Sequence, residues 1–253
     1  MDNYTFCAHF AGLLAPDPNA AILDYGCGAG RIVALLRQED RRAFGCDVFY
    51  DGGSYRSAVA QELLDAGVIC DMPGGRIPHP DETFDLVISN QVFEHVPDLD
   101  AVLDEIRRVL KPGGTLLFLF PDRSVWREGH CGVPLLHRFR KGTTRLRVVY
   151  AAAWRAAGFG FHKENKGILE WSQNFCLWLD RWTFYRPYGE IRRALDGRFV
   201  EVTHHEAFWL TTRFGARLPL LRYAPSRFQR ALVRRWAGMV ATCRKPASPA
   251  AGA

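Results

Sequence analysis

The chain has 253 residues, of which 48% are hydrophobic, 24% charged and 13% aromatic. These proportions exclude a disordered tail or a fibre and point to one large globular domain, or one domain with a substantial insertion. No run of about 18 uncharged apolar residues occurs, which argues against a transmembrane helix, and residues 1–14 carry Asp2 and His9 in place of the basic start of a secretory leader.

The seven cysteines, at positions 7, 27, 46, 70, 131, 176 and 243, include no Cys-x-x-Cys pair. Free thiols in a reducing compartment are expected, which makes the cytoplasm the expected location, with no disulfide framework or zinc ribbon. The net charge of +6 hides an asymmetry: residues 1–121 hold 9 basic and 18 acidic side chains, residues 122–253 hold 24 and 9. Such a split predicts two surfaces with different partners.

Residues 21–25 form a short apolar run ended by glycines, and residues 32–38 follow with helical spacing, Ile32, Leu35 and Leu36 sharing a face. Residues 43–47 predict a second strand, 57–65 a helix, 68–71 a third strand and 84–90 a fourth. Residues 99–110 predict an amphipathic helix with Val102, Leu103, Ile106, Val109 and Leu110 on its buried face. Lys111-Pro112-Gly113-Gly114 should stop it, because proline cannot continue a helix. Residues 115–120 are apolar throughout, as expected for the centre of a parallel sheet.

Beyond that point the alternation stops. Residues 122–185 are rich in Trp, His and Arg and predict a helical insertion. A helix over 187–195, strands over 199–208 and 238–245, and a basic amphipathic stretch over 210–236 follow, and the Pro/Ala-rich residues 246–253 predict a disordered tail. Strand–helix alternation predicts an α/β doubly wound sheet, which binds ligands beyond the carboxyl ends of its strands. The loops to watch therefore follow Tyr25, Asp47, Asp71, Asn90 and Phe120.

Asp24-Tyr25-Gly26-Cys27-Gly28-Ala29-Gly30 places alternate glycines between a strand and a helix, where they allow a tight turn and close approach of a ligand. The spacing is G-x-G-x-G, not the G-x-G-x-x-G of dinucleotide enzymes, so a nicotinamide-dependent oxidoreductase is disfavoured. Asp47 closes the next strand, where a carboxylate can accept both hydroxyls of a ribose.

With Asp71-Met72, Pro78, Phe84-Asp85-Leu86-Val87, the run from Asn90 to Val96 and the run from Arg108 to Gly114, these motifs stand in one order over about residues 20–121. In that order they resemble the class I S-adenosylmethionine-dependent methyltransferases, in the small-molecule group that includes ubiquinone-pathway enzymes. The resemblance implies a Rossmann-like seven-stranded sheet with a mainly helical insertion after strand five. It implies a cofactor-binding core over 1–121, a helical substrate-binding cap over 122–198, and C-terminal strands over 199–245 that complete the sheet.

The implied cofactor is S-adenosyl-L-methionine, with S-adenosyl-L-homocysteine as product. Gly26, Gly28 and Gly30, with Cys27 as a small turn residue, would pack against its methionine and ribose. Asp24 would orient the amino group and Asp47 the ribose diol. Val48 and Met72 would sandwich the adenine, Asp71 would accept from the adenine amino group, and Asn90 would offer its backbone carbonyl to the ammonium.

Transfer to an oxygen also removes a proton, so a general base helps. His95, Glu128, His130 and His137 are the candidates, all on loops expected to open onto the cofactor. A metal held by Glu128, His130 and His137 matches no standard ligand spacing, and no metal is expected. Trp154, Trp171, Trp178 and Trp182 read as core aromatics in preference to pocket walls.

Residues 123–163 hold nine Arg/Lys and one Glu. With the basic stretch that follows, they suggest an anionic acceptor or a peripheral membrane contact in which Phe214, Leu218, Leu221, Phe228, Leu232 and Trp236 interleave with arginines. A solvated basic face is the bland alternative, and no nucleic-acid-binding module is recognisable. The expected activity is O-methylation of a small-molecule, saccharide or lipid-linked acceptor. C-methylation of a quinone-type precursor and a non-catalytic docking module are the alternatives.

Overall fold

The computed structural model describes residues 1–247 except 52, 54, 143 and 218, and leaves the side chains of Thr144 and Arg222 undescribed. Seven strands form one sheet: β1 (Ile22–Tyr25), β2 (Ala43–Asp47), β3 (Ile69–Asp71), β4 (Phe84–Asn90), β5 (Leu110–Phe120), β6 (Val200–His204) and β7 (Met239–Arg244). Their order is β3-β2-β1-β4-β5-β7-β6. β1 to β5 are parallel, while β7 runs antiparallel between β5 and β6.

Period-two burial explains the unbroken apolar strands at the centre. Leu86 and Ile88 of β4, and Leu117 and Leu119 of β5, face one layer, while Val87, Leu116, Phe118 and Phe120 face the other. Helices α1 (Asn3–Leu14), α2 (Arg31–Gln38) and α3 (Gln61–Asp65) cover the first face. They are joined there by α8 (Glu206–Phe214) and α9 (Ser226–Trp236). On the second face lie α4 (Leu99–Val109) and α7 (Tyr188–Asp196), through Leu103, Ile106, Ile191 and Leu195. The Asp98 carboxylate accepts from the Ala101 N–H at 3.0 Å and so starts α4.

Between β5 and β6 stand α5 (Thr144–Ala156) and α6 (Ile168–Trp182), which share a core of their own around Trp171, Leu136 and Leu179. That core is distinct from the two that sandwich the sheet, and it forms a cap. Helix α7, expected within the cap, instead belongs to the sheet's second layer.

Three local expectations change. The helix ends at Val109, as expected, but the next strand starts earlier than residue 115: β5 begins at Leu110, pairs there with Phe84 and shifts register before Leu86 meets Thr115. The strand expected over 199–208 ends at His204, because Glu206 begins α8 and its buried carboxylate is held by Arg234 at 3.0 Å. Helix α1 has no counterpart among the elements expected from sequence.

The basic stretch is not one free amphipathic face. Phe214, Leu221 and Leu232 pack against the sheet's core, whereas Phe228 and Trp236 are exposed. Leu218 and residues 248–253 of the expected tail lie outside the described residues. Among the described residues, no helix is long and apolar enough to cross a membrane.

Candidate active site

The loops after β1, β2 and β4 open beyond the carboxyl ends of these strands into a cavity of about 940 Å³. Its floor is the glycine turn. Gly26, Gly28 and Gly30 all have positive φ, and a Cβ on Gly26 would sit 2.4 Å from Val92 Cγ2, one on Gly30 2.3 Å from Ile69 Cδ1. Only glycine allows both the left-handed backbone and these approaches. Gly26, Cys27 and Gly28 line the cavity; Gly30 lies behind it, against Ile69.

Asp47 staples the floor. Its Oδ2 accepts from the Gly28 N–H and its Oδ1 from the Phe49 N–H, both at 2.8 Å, so one carboxylate joins the loops after β1 and β2. Asp24 lines the same cavity from a buried position. Burial and then the charge of Asp47 push its carboxyl up to about 8. Asn90 also lines the cavity, and its Oδ1 is buried with no hydrogen-bond partner. Val48 and Met72 complete this end.

These features fit the cofactor implied by the sequence: a free side-chain acceptor, a buried acid and a diol-sized carboxylate face one space. Asp71 does not fit its expected role. It stands outside the cavity, exposed, with both carboxylate oxygens turned to Arg56 at 2.9–3.0 Å. Its side chain leaves the end of β3 on the solvent side, where the nearest cation captures it. Cys27 behaves as the small packing residue expected, its thiol pushed up by burial.

The other end of the cavity is a chamber of phenol, imidazole and indole rings: Tyr50, His95, His130, Trp178 and Trp182, with Arg181. His95 is carried by the short turn Phe93–His95 after β4 and His130 by the loop after β5. Their Nε2 atoms stand 3.2 Å apart. The far side of each ring is tied down: His95 Nδ1 lies 2.7 Å from the Trp182 carbonyl oxygen and His130 Nδ1 2.7 Å from Glu128 Oε1.

Glu128 is fully buried and does not touch the cavity. Its carboxylate accepts from the N–H groups of His130 and Cys131 and from the Tyr185 hydroxyl. Burial would raise Glu128, but these bonds, led by His130, hold it down at about 2. Burial likewise opposes charge on His130, yet Glu128 outweighs it and leaves His130 above its ordinary value. His95 is lowered to about 4 by burial and by His130. Glu128 is thus a positioning residue for His130.

His137, expected as a candidate base, does not reach the cavity. It is buried against the Tyr185 ring, with Nε2 3.3 Å from the Arg123 carbonyl oxygen. The tryptophans divide. Trp171 is core, as expected, and Trp154 packs on Tyr150 and Phe159, whereas Trp178 and Trp182 are walls of the chamber. Helix α6 presents Trp171 to its own core and residues 178 and 182, one turn apart, to the cavity.

Sequence reading missed Tyr4, Tyr50, Tyr55 and Glu94. Tyr4 comes from the unanticipated α1, and the two tyrosines from the loop after β2. Glu94 carried a signal, since it adjoins His95. Arg186 fixes this segment: its guanidinium donates to the carbonyls of Phe93, Val96 and Pro97 and so binds the turn bearing His95 to the cap.

Residues 23–118 match the protein family described as a methyltransferase domain. The chain is 28% identical over 195 residues to sarcosine/dimethylglycine N-methyltransferase of Halorhodospira halochloris, covering 74% of this chain and 64% of that protein. It is 33% identical over 110 residues to malonyl-[acyl-carrier protein] O-methyltransferase of Serratia marcescens, covering 42% and 40%. The chain thus spans less than two thirds of the length of these curated relatives.

An S-adenosylmethionine-dependent methyltransferase from Mesorhizobium loti superposes with a TM-score of 0.51 at 17% identity, over 96% of this chain and all of that one. Phosphoethanolamine N-methyltransferase 2 of Haemonchus contortus, solved with S-adenosyl-L-methionine, superposes with a TM-score of 0.51 at 14% identity, over 96% and 52%. At such identities the two structures speak for the fold alone. Over residues 23–118 the chain is thus similar to the methyltransferase domain family, and it shares its fold with an S-adenosylmethionine-dependent methyltransferase.

Proposed function

We propose that the chain is an S-adenosylmethionine-dependent methyltransferase that methylates a hydroxyl oxygen of a small acceptor, of the saccharide or lipid-linked class. The observation that carries this reading is one continuous cavity, with the glycine turn and Asp47 at one end and the imidazole–indole chamber at the other. S-adenosylmethionine, when bound, supplies an electrophilic methyl on a sulfonium with a neutral leaving group. Asp47 would hold the ribose hydroxyls, Val48 and Met72 would flank the adenine, and Asn90 and Asp24 would take the ammonium.

The acceptor oxygen bonds to the methyl carbon, the carbon–sulfur bond breaks with its electrons left on sulfur, and the hydroxyl proton is released. Catalysis then rests largely on holding the oxygen in line, which the indole walls favour. His95 and His130 line the chamber where the hydroxyl proton leaves. Arg181 at the chamber supports an anionic acceptor, as does the basic cap. The relatives' transfer to nitrogen and oxygen supports heteroatom methylation.

Calorimetric titration with S-adenosylhomocysteine tests the cofactor, and absence of binding at high micromolar concentration sinks the reading. An acceptor screen by mass spectrometry, scoring the gain of one methylene, tests the acceptor class.

Asp24 adds a pH dependence. Its folded pKa lies above the usual carboxylate value, so below about pH 8 the empty site holds it neutral. A ligand ammonium favours the ionised form, and binding near neutrality must release a proton. Affinity for S-adenosylhomocysteine is therefore expected to rise from about pH 6 to about pH 8, above which the ligand's own amino group starts to lose its charge. Calorimetry in buffers of different ionisation enthalpy reads the proton directly. Asp24→Asn should abolish that release, and an unchanged proton count in the variant refutes the assignment.

A further inference from the structure

We infer that Glu94, His95 and His130 form a binding site for a divalent transition cation such as Zn²⁺, open to the acceptor chamber. Glu94 is buried at 1% exposure, yet both of its carboxylate oxygens lack a hydrogen-bond partner. A buried, unpaired carboxylate is costly unless a proton or a cation meets it. One of its oxygens and one imidazole nitrogen from each of His95 and His130 lie within 4.8 Å of one another.

The histidines are pre-set as ligands. A carbonyl oxygen only accepts, so His95 Nδ1, 2.7 Å from the Trp182 carbonyl oxygen, carries the hydrogen and leaves a lone pair on Nε2. The Glu128 carboxylate likewise accepts from His130 Nδ1, which leaves Nε2 as the ring atom that faces His95. A carboxylate or a carbonyl behind each ring is the arrangement that orients metal-bound histidines. The two Nε2 atoms stand 3.2 Å apart, within hydrogen-bond distance, so an ion entering between them displaces the proton they share. Two nitrogens each at ~2.0–2.1 Å from one tetrahedral ion would stand about 3.3 Å apart.

Two imidazoles and one carboxylate, without a thiolate, suit Zn²⁺, Fe²⁺ or Mn²⁺ better than softer ions. Both histidines line the cavity and Glu94 lies behind them, so the open coordination position faces the acceptor. A hydroxyl bound there would become more acidic and release its proton to water before its oxygen meets the methyl carbon. That role rests on the methyltransferase reading, whereas the binding site itself does not.

The test uses the full chain stripped of metal by chelation. Co²⁺ alone is titrated while its visible absorption is followed, and Zn²⁺ is then measured by competition. One equivalent should bind with a dissociation constant at or below micromolar, and the ion should raise the melting temperature. His130→Asn and Glu94→Gln should each weaken binding at least tenfold while retaining the circular dichroism spectrum and S-adenosylhomocysteine affinity. If either variant misfolds, His95→Gln provides the same comparison.

Wild-type protein that binds Co²⁺ and Zn²⁺ no better than folded variants overturns the inference, even where S-adenosylhomocysteine binds normally. Tight metal binding without S-adenosylhomocysteine binding supports the site and removes the methyltransferase reading.

Discussion

Asp47→Ala is expected to weaken S-adenosylhomocysteine binding by about 1–3 kcal/mol, roughly 5- to 150-fold. The carboxylate has two tasks on one side chain. It accepts from the N–H groups of Gly28 and Phe49, both at 2.8 Å, and so holds the turn after β1 against the loop after β2. It also lines the cavity, where the ribose diol would lie. Removing it frees both amides and the diol's acceptor together.

Asp47→Asn keeps one acceptor oxygen and should fall between wild type and Asp47→Ala. Calorimetry on protein whose circular dichroism is unchanged provides the measurement. A loss below twofold in Asp47→Ala means that the carboxylate does not grip the ligand, and the cofactor assignment of this cavity fails with it.

Trp171→Ala is expected to cost about 3–5 kcal/mol of stability, the range for truncating a buried aromatic side chain. Trp171 is fully buried, its indole N–H donates to the Phe161 carbonyl at 2.8 Å, and its ring packs 4.8 Å from that of Phe175. A Cβ on Gly160 would come within 2.8 Å of the indole, so the backbone already lies against the ring. For a chain of this size, that cost lowers the melting temperature by roughly 6–20 °C.

Function should divide along with structure. Trp171 belongs to the cap's own core, apart from the two layers on the sheet. The glycine turn and Asp47 should therefore keep S-adenosylhomocysteine affinity within a few-fold. Trp178 and Trp182 share α6 with Trp171 and wall the chamber, so methyl transfer should fall much further than cofactor affinity. Equal losses in the two would mean that the cap does not seat the acceptor. A destabilisation below about 1 kcal/mol would mean that its core is not built around Trp171.

Much of the sheet was legible because its signals are local. A strand buried on both faces must be apolar at every position, as residues 116–120 are, and a turn that needs left-handed backbone must show its glycines, as Gly26, Gly28 and Gly30 do. Asp47 could be found for the same reason: it ends a strand whose position in the alternation is evident. Helix α1 was missed because its apolar residues are spread around it without a clean stripe, although Phe6, Cys7, Phe10 and Ala11 are all buried.

Chain order alone was enough to settle which segments alternate, where the backbone turns tightly and which acid stands at the second strand's end, because each depends on residues a few positions apart. Folding in three dimensions decided which side chains meet. His95 and His130, 35 positions apart, come together through the capture of Phe93, Val96 and Pro97 by Arg186 and through the seat that Glu128 builds beneath His130. Asp71 is lost to Arg56 and His137 to the Tyr185 ring by the same kind of event. The physical reason is range: backbone propensity acts over one turn or one strand, whereas the convergence of polar groups depends on loop closure and on which buried partner satisfies each of them first.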